Sequence, residues 1–257
     1  MINIHHSENQ NRTLLQINRT KTLQIIRPIY SMGLINNLIA GFLDKATISY
    51  KTPLNANTFH IQLHSEAFRK VNHVPGYFVR IFVGKGKDLA FKDNLRSYSA
   101  WKLNKLNGTL ELAVCTHGAG PGSDWAKECK VGDEVSFTWK KSNLVVDDAA
   151  DNYVFIGDSS ALAHLYELHR NLLKGKSVKS IIYDEIESNL FPDLDGSRPF
   201  HFHNIANAQS TTSILEMMPV LLEGVSSSNT IVYVAGDSRI CIALNNYFRK
   251  ELRWESR

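Results

Sequence analysis

The chain has 257 residues, of which 43% are hydrophobic and 21% are charged. This composition is typical of a folded globular protein and excludes a fibrous repeat or a disordered chain, and the length favours two domains of ordinary size. The net charge of +4 is mild, and no run of Lys or Arg alternates with aromatic residues, so we expect no nucleic-acid partner; a weak positive field suits a small anionic ligand.

The first twenty residues are polar and contain no apolar core followed by a small-residue cleavage site, so we expect no secretory signal. Residues 23–43 are apolar but are interrupted by charged, proline and glycine residues, which favours a packed helix over a membrane span. We therefore expect residues 1–40 to form a tail and helix, with no membrane partner. Three scattered cysteines fit a reducing compartment, and we expect a cytoplasmic protein.

The first half of the chain is rich in short β-strands separated by turn residues. Alternating and β-branched segments predict six strands, at residues 45–51, 58–64, 77–83, 97–101, 108–115 and 134–139. Short strands at this spacing predict an antiparallel six-stranded β-barrel over residues 41–147. The polar segment 147–152 is then the connector to a second domain.

The second half alternates strands and helices. Apolar runs predict strands at residues 153–156, 178–183, 201–205 and 230–235, with helices at 161–175, 213–222 and 239–253. Alternation of this kind predicts an α/β domain with a parallel sheet over residues 153–257. Ligands of such sheets bind at the carboxyl ends of strands, where the turns 157–160 and 236–238 lie, so these two Gly-Asp turns should flank one crevice.

The segment from Arg96 to Trp125 combines two features that suit a flavin nucleotide. Arg96 and Tyr98 lie on one face of a strand, where a cation can pair with a phosphate and a phenol ring can cover a flavin, and Ser99 adds a hydroxyl. The later loop 118–123 contains three glycines before a short helix, and such a loop lets backbone amides approach a diphosphate. An ordinary hairpin with a polar turn explains the same spacing.

Three further features remain open between a functional and a structural interpretation. Arg80 interrupts an apolar strand, either as a cation at the mouth of a ligand cleft or as a solvated residue on the outer face. His201 and His203 can share a strand face, but no third metal ligand is evident, so we expect no metal site. The acidic segment 184–187 follows a strand where a carboxylate can bind a ribose hydroxyl, which favours NADH, or it is a solvated loop.

The order of barrel, connector and α/β domain, together with five motifs, resembles a known family. The motifs are RSYS at 96–99, HGAGPGSDWA at 117–126, VGDEV at 131–135, GDSSAL at 157–162 and VAGDSRICIALNNYFRKEL at 234–252. In these motifs the chain resembles the siderophore-interacting proteins, which are FAD-dependent ferric-siderophore reductases of the ferredoxin-reductase superfamily. The resemblance covers residues 40–253.

The resemblance implies three sets of binding residues. FAD would be held by Arg96, Ser97, Tyr98, Ser99, His117, Gly118, Gly120, Gly122, Ser123 and Trp125. The nicotinamide end of NADH or NADPH would be received by Gly157, Asp158, Ser160, Gly236 and Asp237. The anionic ferric siderophore would be docked by Arg80, Lys141 and Arg253.

Two departures from the family pattern concern the donor and the siderophore. The first Gly-Asp turn usually continues with Glu and Thr, where this chain has Ser159 and Ser160, and the second usually reads Gly-Glu, where this chain has Gly236 and Asp237. The chain also lacks the aromatic-glycine tail of many members, so Lys250, Arg253 or Arg257 would replace the cation that the tail supplies.

The function that the resemblance implies is electron transfer. NADH, NADPH or a reduced ferredoxin would reduce FAD, and FAD would reduce Fe(III) in the siderophore to Fe(II), which the chelator binds weakly and releases. This chemistry requires no catalytic nucleophile or general base, and we assign none. The expected partners are a ferric siderophore and a ferredoxin, with the chain a monomer. Two alternatives remain: a flavin reductase that passes electrons to a protein or quinone, and a non-enzymatic binding protein of the same fold.

Overall fold

A computed structural model describes residues 43–84, 91–116 and 118–255 of the chain. The expected tail and helix at residues 1–40 and the candidate FAD ligand His117 lie outside the described residues. No helix within the described ranges is long and apolar enough to cross a membrane. Two sheets follow one another along the described chain.

The N-terminal sheet is antiparallel and contains seven strands in the order β4-β3-β7-β1-β2-β6-β5. The strands are β1 (Asp44–Asn55), β2 (Thr58–His64), β3 (Phe78–Phe82), β4 (Leu95–Ser99), β5 (Lys102–Asn104), β6 (Thr109–Cys115) and β7 (Glu134–Lys140). In β6 every second residue is buried, as expected for a strand with one face on a core. The stacked rings of Phe68 and Phe137, 4.6 Å apart, lie in that core.

The expected six-stranded barrel is wrong in two respects, because the described sheet has a seventh strand and does not close. The expected strand at 97–101 is in fact the place where the chain changes its pairing partner. The amide of Ala100 still bonds Tyr77 O beside β3, at 3.2 Å, whereas the amide of Trp101 bonds Glu111 O on β6, at 2.9 Å. β4 and β5 thus lie at opposite edges of the sheet although they are neighbours in sequence.

The C-terminal sheet is parallel, with four strands in the order β10-β9-β8-β11, as the alternation of strands and helices predicts. The strands are β8 (Asn152–Asp158), β9 (Ser177–Asp184), β10 (Phe202–Asn204) and β11 (Thr230–Ala235). The described helices are α1 (Pro121–Glu128) beside the first sheet, and α2 (Leu162–Arg170), α3 (Thr211–Leu215), α4 (Met218–Leu221) and α5 (Ser238–Asn246) beside the second.

Two of the expected helices differ from the observed ones. The single helix expected at 213–222 is divided into α3 and α4, and Pro219 lies in the first turn of α4, where its missing amide hydrogen costs no helical bond. The expected helix 239–253 is α5 followed by one π-helical segment, Tyr247–Glu251. Arg253 lies beyond both, with a φ of 60°.

Side chains from both halves of the chain hold the two sheets together. Trp101 is buried in the core of the second sheet, and its indole Nε1 donates to Asp193 Oδ1 at 2.8 Å. Glu167 on α2, which is 2% exposed, accepts the amide of Gly76 at 2.9 Å and lies 2.9 Å from the Nε2 of His73. These contacts fix the approach of the two sheets and therefore the cleft between them. The expected boundaries at 41–147 and 153–257 stay a prediction.

Candidate flavin and nicotinamide site

The RSYS segment lies on β4, at an edge of the N-terminal sheet. Its register against β3 places Tyr98 opposite Val79 and Arg96 opposite Ile81, and both of those residues are fully buried. Residues directly opposite one another in an antiparallel pair share a face. Arg96 and Tyr98 therefore share one face, as expected, and that face is the core side of the sheet. Ser97 and Ser99 therefore lie on the other side of the strand.

The glycine-rich loop brings α1 directly against those two side chains. A Cβ placed on Gly122 would lie 2.8 Å from the hydroxyl oxygen of Tyr98 and 3.1 Å from Arg96 Cγ. Only a glycine allows this approach. Trp125, one turn later on α1, packs on the Tyr98 ring with centroids 5.6 Å apart. The two elements that the sequence analysis assigns to the flavin ring and to the diphosphate are thus in contact.

The start of α1 has the features of an anion-binding helix terminus. Gly120 is the N-cap, with a φ of 148°, and it provides no side-chain hydrogen bond to the first turn. No described heavy atom lies within 4 Å of a Cβ placed on Gly118 or Gly120, so space remains beside the loop. The Ser123 hydroxyl donates to Thr116 O at 3.0 Å, which ties the loop to the end of β6. The exposed amides of such a terminus favour a phosphate group.

The Arg96 and Tyr98 side chains are held in place before any ligand is considered. Arg96 Nη1 donates to Asp93 O at 2.8 Å and to Leu95 O at 2.9 Å, which orients the guanidinium. Burial raises the pKa of the Tyr98 hydroxyl, and the nearby Arg96 only partly opposes this, so the phenol is neutral. A cation, a neutral aromatic ring and an uncapped glycine-rich helix start together fit FAD, and these residues are able to hold it.

The two Gly-Asp turns of the C-terminal sheet meet because β8 and β11 are neighbours. Asp158, at the end of β8, accepts the amide and the hydroxyl of Ser160 at 2.9 and 2.5 Å, and it accepts the amide of Asp237 at 2.6 Å. A Cβ on Gly236 would lie only 2.3 Å from Asp158 Oδ2. Hydrogen bonds from Arg239 lower the pKa of Asp237 to about 2. The two turns form one structure, as the sequence analysis expects.

A cleft between the two sheets is lined by one candidate flavin residue, Ser99, and by two candidate nicotinamide residues, Ser160 and Gly236. It has a volume of about 310 Å³ and lies between the sheets, with Gly76, Phe78, Ser99, Ser142 and Leu144 on one side and Ser160, Ala161, His164, Ala235 and Gly236 on the other. Ser99 and Tyr98 therefore lie on opposite faces of β4, and it is Ser99 that lines the cleft together with the two turns. The assigned binding roles themselves stay predictions.

The three candidate siderophore cations do not form one cluster. Arg80 is exposed on β3, where its Nε donates to the Ser97 hydroxyl at 3.3 Å, so it lies on the same side of the sheet as Ser99. Lys141 is exposed directly after β7, the other neighbour of β3. Arg253 instead lines a separate groove of about 760 Å³ along β11.

The remaining polar candidates have structural partners. Asp184 accepts hydrogen bonds from the Ser159 hydroxyl, from the amide of Ile186 at 2.9 Å and from Asn189 Nδ2 at 2.9 Å, so its carboxylate is used to shape the loop. Burial and the neighbouring His201 lower the pKa of His203. Among the described residues, no group of three His, Cys, Asp or Glu side chains is placed to hold a metal ion.

Two residues near the cleft escaped the sequence analysis. His164 and Glu167 lie one turn apart on α2 and are 7% and 2% exposed. Both lie within an apolar helix that begins directly after the first Gly-Asp turn. A buried polar residue in such a helix is the signal that could have identified them.

The described architecture is the two-domain fold of the ferredoxin reductases. Residues 69–139 match the family model of the siderophore-interacting FAD-binding domain. No curated protein sequence matches the chain.

Solved structures give the same fold over most of the chain. The siderophore-interacting protein from Acinetobacter baumannii is 16% identical, with 83% of this chain and 85% of that chain covered and a TM-score of 0.68. SipS, a siderophore-interacting protein from Aeromonas hydrophila, is 16% identical over 81% and 86% of the two chains, with a TM-score of 0.67. Ferredoxin-NADP+ reductase from Plasmodium falciparum is 14% identical over 81% and 93%, with a TM-score of 0.62. The resemblance to siderophore-interacting proteins that the motifs indicate is therefore confirmed.

Proposed function

We propose that this chain is an FAD-dependent reductase that reduces Fe(III) in ferric siderophores to Fe(II), with electrons from NADH, NADPH or a reduced ferredoxin. The observation that carries the proposal is one shared cleft. Ser99 of the N-terminal sheet and the residues Ser160 and Gly236 of the C-terminal sheet all line it. A cleft lined in this way suits the transfer of electrons between a donor and a flavin. The family model matched by residues 69–139 supports FAD as the cofactor.

The residues around α1 would hold the dinucleotide. Arg96 would pair with a phosphate, because a guanidinium and a phosphate form charge-assisted hydrogen bonds, and the amides of Gly120, Gly122 and Ser123 would bind the diphosphate. Tyr98 would cover the ring system. When bound, FAD supplies the conversion between a two-electron donor and a one-electron acceptor.

The protein's own residues would position the donor and the iron chelate. The turns at Asp158 and Asp237, fixed to each other by the hydrogen bond from the Asp237 amide to Asp158, would receive the nicotinamide at the carboxyl ends of β8 and β11. Arg80 and Lys141 would attract an anionic chelate to the exposed side of β3 and β7, and Arg253 would contribute from the other groove. Each Fe(III) takes one electron, so one nicotinamide donor would support the reduction of two chelates.

The test is a steady-state assay of the purified protein without oxygen. Flavin absorbance and the flavin released on denaturation first establish whether FAD is present. Reduction of a panel of catecholate and hydroxamate ferric chelates is then followed with a colorimetric Fe(II) trap, with free FAD and the same donor as the control. A protein that reduces no chelate faster than free FAD, but reduces a quinone or a ferredoxin, would be a flavin reductase with another acceptor. A colourless protein that takes up no flavin would be a binding protein of this fold.

A further inference from the structure

A chain of hydrogen bonds connects the first Gly-Asp turn of the C-terminal sheet to the glycine-rich loop of the N-terminal sheet. It begins at the Ser159 hydroxyl, which donates to the Asp184 carboxylate, and the other oxygen of that carboxylate accepts Asn189 Nδ2 at 2.9 Å. The Asn189 side-chain oxygen accepts Asn57 Nδ2 at 3.3 Å. Asn57 lies in the turn between β1 and β2, so this amide–amide contact passes from one sheet to the other.

The chain continues from Asn57 into the loop assigned to the flavin diphosphate. The backbone oxygen of Asn57 accepts the amide of Thr116 at 2.7 Å and the Thr116 hydroxyl at 3.2 Å. Thr116 follows β6, and its carbonyl oxygen accepts the Ser123 hydroxyl of α1 at 3.0 Å. Ser159, Asn189 and Thr116 are all buried, and hydrogen bonds shielded from water are electrostatically stronger than exposed ones.

The location of this contact suits the control of the distance between the two candidate ligands. The contacts of Trp101 and Glu167 that also hold the sheets together end at Asp193 and Gly76, outside both the loop 118–123 and the turn 157–160. The rate at which a reduced nicotinamide passes a hydride to a flavin depends on their separation, because misplacing reacting atoms by about 1 Å can cost about a hundredfold in rate. A bond that connects the two binding segments is placed to set that separation.

We propose that Asn57 is a positioning residue for hydride transfer, which acts through Asn189 to hold the turn 157–160 at a fixed distance from the loop 118–123. The inference rests on the proposed function, because it requires FAD at the loop and a nicotinamide nucleotide at the turn. The nucleotide gives up the hydride and is oxidised, and the flavin accepts it and is reduced, so no further reactant is needed. If the bond only stabilised the fold, its loss would lower stability without changing how the two ligands face each other.

The side chain and the backbone of Asn57 make separate contacts, which allows a selective variant. Asn57→Ala removes the amide that donates to Asn189 and keeps the carbonyl oxygen that binds Thr116. Asn57 is half-buried and lies outside both candidate sites, so this variant should fold. The matched control is Asn204→Ala, because Asn204 Nδ2 donates to Glu185 O at 2.9 Å in the loop after β9, and both residues belong to the C-terminal part of the chain. Of these two variants, only Asn57→Ala removes a bond between the sheets.

The experiment combines an equilibrium measurement with a kinetic one. Urea unfolding of the flavin-free protein tests the bond itself: the midpoint shifts of Asn57→Ala and Asn189→Ala should not add in the double variant, because both changes remove the same contact. Rapid mixing of the FAD-saturated protein with NADH or NADPH, without oxygen, then follows the bleaching of the flavin. At saturating donor we expect Asn57→Ala to slow bleaching about tenfold. FAD affinity and reduction by dithionite should match the wild-type chain, and so should bleaching in Asn204→Ala.

The inference is overturned if the midpoint shifts add, if Asn57→Ala bleaches at the wild-type rate, if Asn204→Ala is slowed as much, or if neither nucleotide reduces the wild-type flavin. The proposed function is tested separately on the same samples, by flavin content and by reduction of a ferric chelate after reduction of the protein with dithionite. A chain that passes those two measurements but fails the Asn57 comparison loses the inference alone. A chain that reduces no chelate but shows the Asn57 effect retains the inference and loses the siderophore function.

Discussion

Gly122 contacts two candidate flavin-binding residues on β4, Tyr98 and Arg96, and the substitution Gly122→Ala tests this contact by adding one methyl group. In Gly122→Ala the new Cβ would lie 2.8 Å from the Tyr98 hydroxyl and 3.1 Å from Arg96 Cγ, so at least one of these side chains must move. The Tyr98 ring is packed between α1 and the core and has little freedom. Overpacking of this kind costs about 1–3 kcal/mol, and the better helix propensity of alanine returns about 1 kcal/mol. The free energy of unfolding should therefore fall by about 0–2 kcal/mol.

Gly122→Ala should change the free energy of FAD binding more than it changes the free energy of unfolding. Displacing Arg96 removes a charge-assisted phosphate contact of about 1.5–3 kcal/mol, which corresponds to about ten- to a hundredfold weaker FAD binding. FAD affinity is measured by flavin fluorescence on titration of the apoprotein, and stability by urea unfolding. The control is Gly175→Ala, where φ is +87° and no described atom lies within 4 Å of the new Cβ, so backbone strain lowers stability by about 1–2 kcal/mol without touching the loop. Wild-type FAD affinity in Gly122→Ala would refute the assignment of this contact to the cofactor.

Three further predictions concern single side chains. Arg96→Ala should weaken FAD binding by about ten- to a hundredfold in the same titration, and unchanged flavin occupancy would reject its phosphate role. Lys141→Ala should raise the KM for an anionic ferric chelate about two- to fivefold at low salt and hardly at high salt, because the side chain is exposed; a salt-independent change would indicate lost packing instead. Burial lowers the pKa of His164 from 6.5 to about 4, so the unfolded chain takes up a proton that the folded chain refuses, and stability is lost as the pH falls from 6.5 toward 4. The free energy of unfolding is measured with urea at about pH 7 and about pH 4.5 for both chains. Relative to the wild-type chain, His164→Leu should become about 2–3 kcal/mol more stable between the higher and the lower pH. A difference that stays constant would contradict the burial of a neutral imidazole.

Local patterns in the sequence were enough to predict the elements that carry the candidate site. β2 has the predicted bounds, because its alternation of apolar and polar residues and its flanking turns are encoded within seven residues. The pairing of Arg96 and Tyr98 on one face follows from the two-residue period of any strand. The parallel C-terminal sheet follows from the alternation of strand and helix patterns, and it places Gly157 and Gly236 at one edge.

Only the tertiary structure decided how these elements meet. No local pattern reveals that the chain changes partner at Trp101, because that depends on a hydrogen bond to Glu111 on a strand that comes later. The approach of Gly122 to Tyr98 likewise joins residues whose contact depends on the placement of α1 against β4.

The cleft shows most clearly which features follow from local sequence and which follow from tertiary packing. The sequence by itself determined the residue types at its rim, since Ser99 and the two Gly-Asp turns are marked by local motifs. It did not mark His164, whose position in an apolar helix looks like core packing. Its burial beside the cleft follows from the packing of the second sheet against the first, which Glu167 and Trp101 hold together. Burial and unpaired hydrogen-bonding groups depend on residues distant in sequence, so tertiary packing decided them.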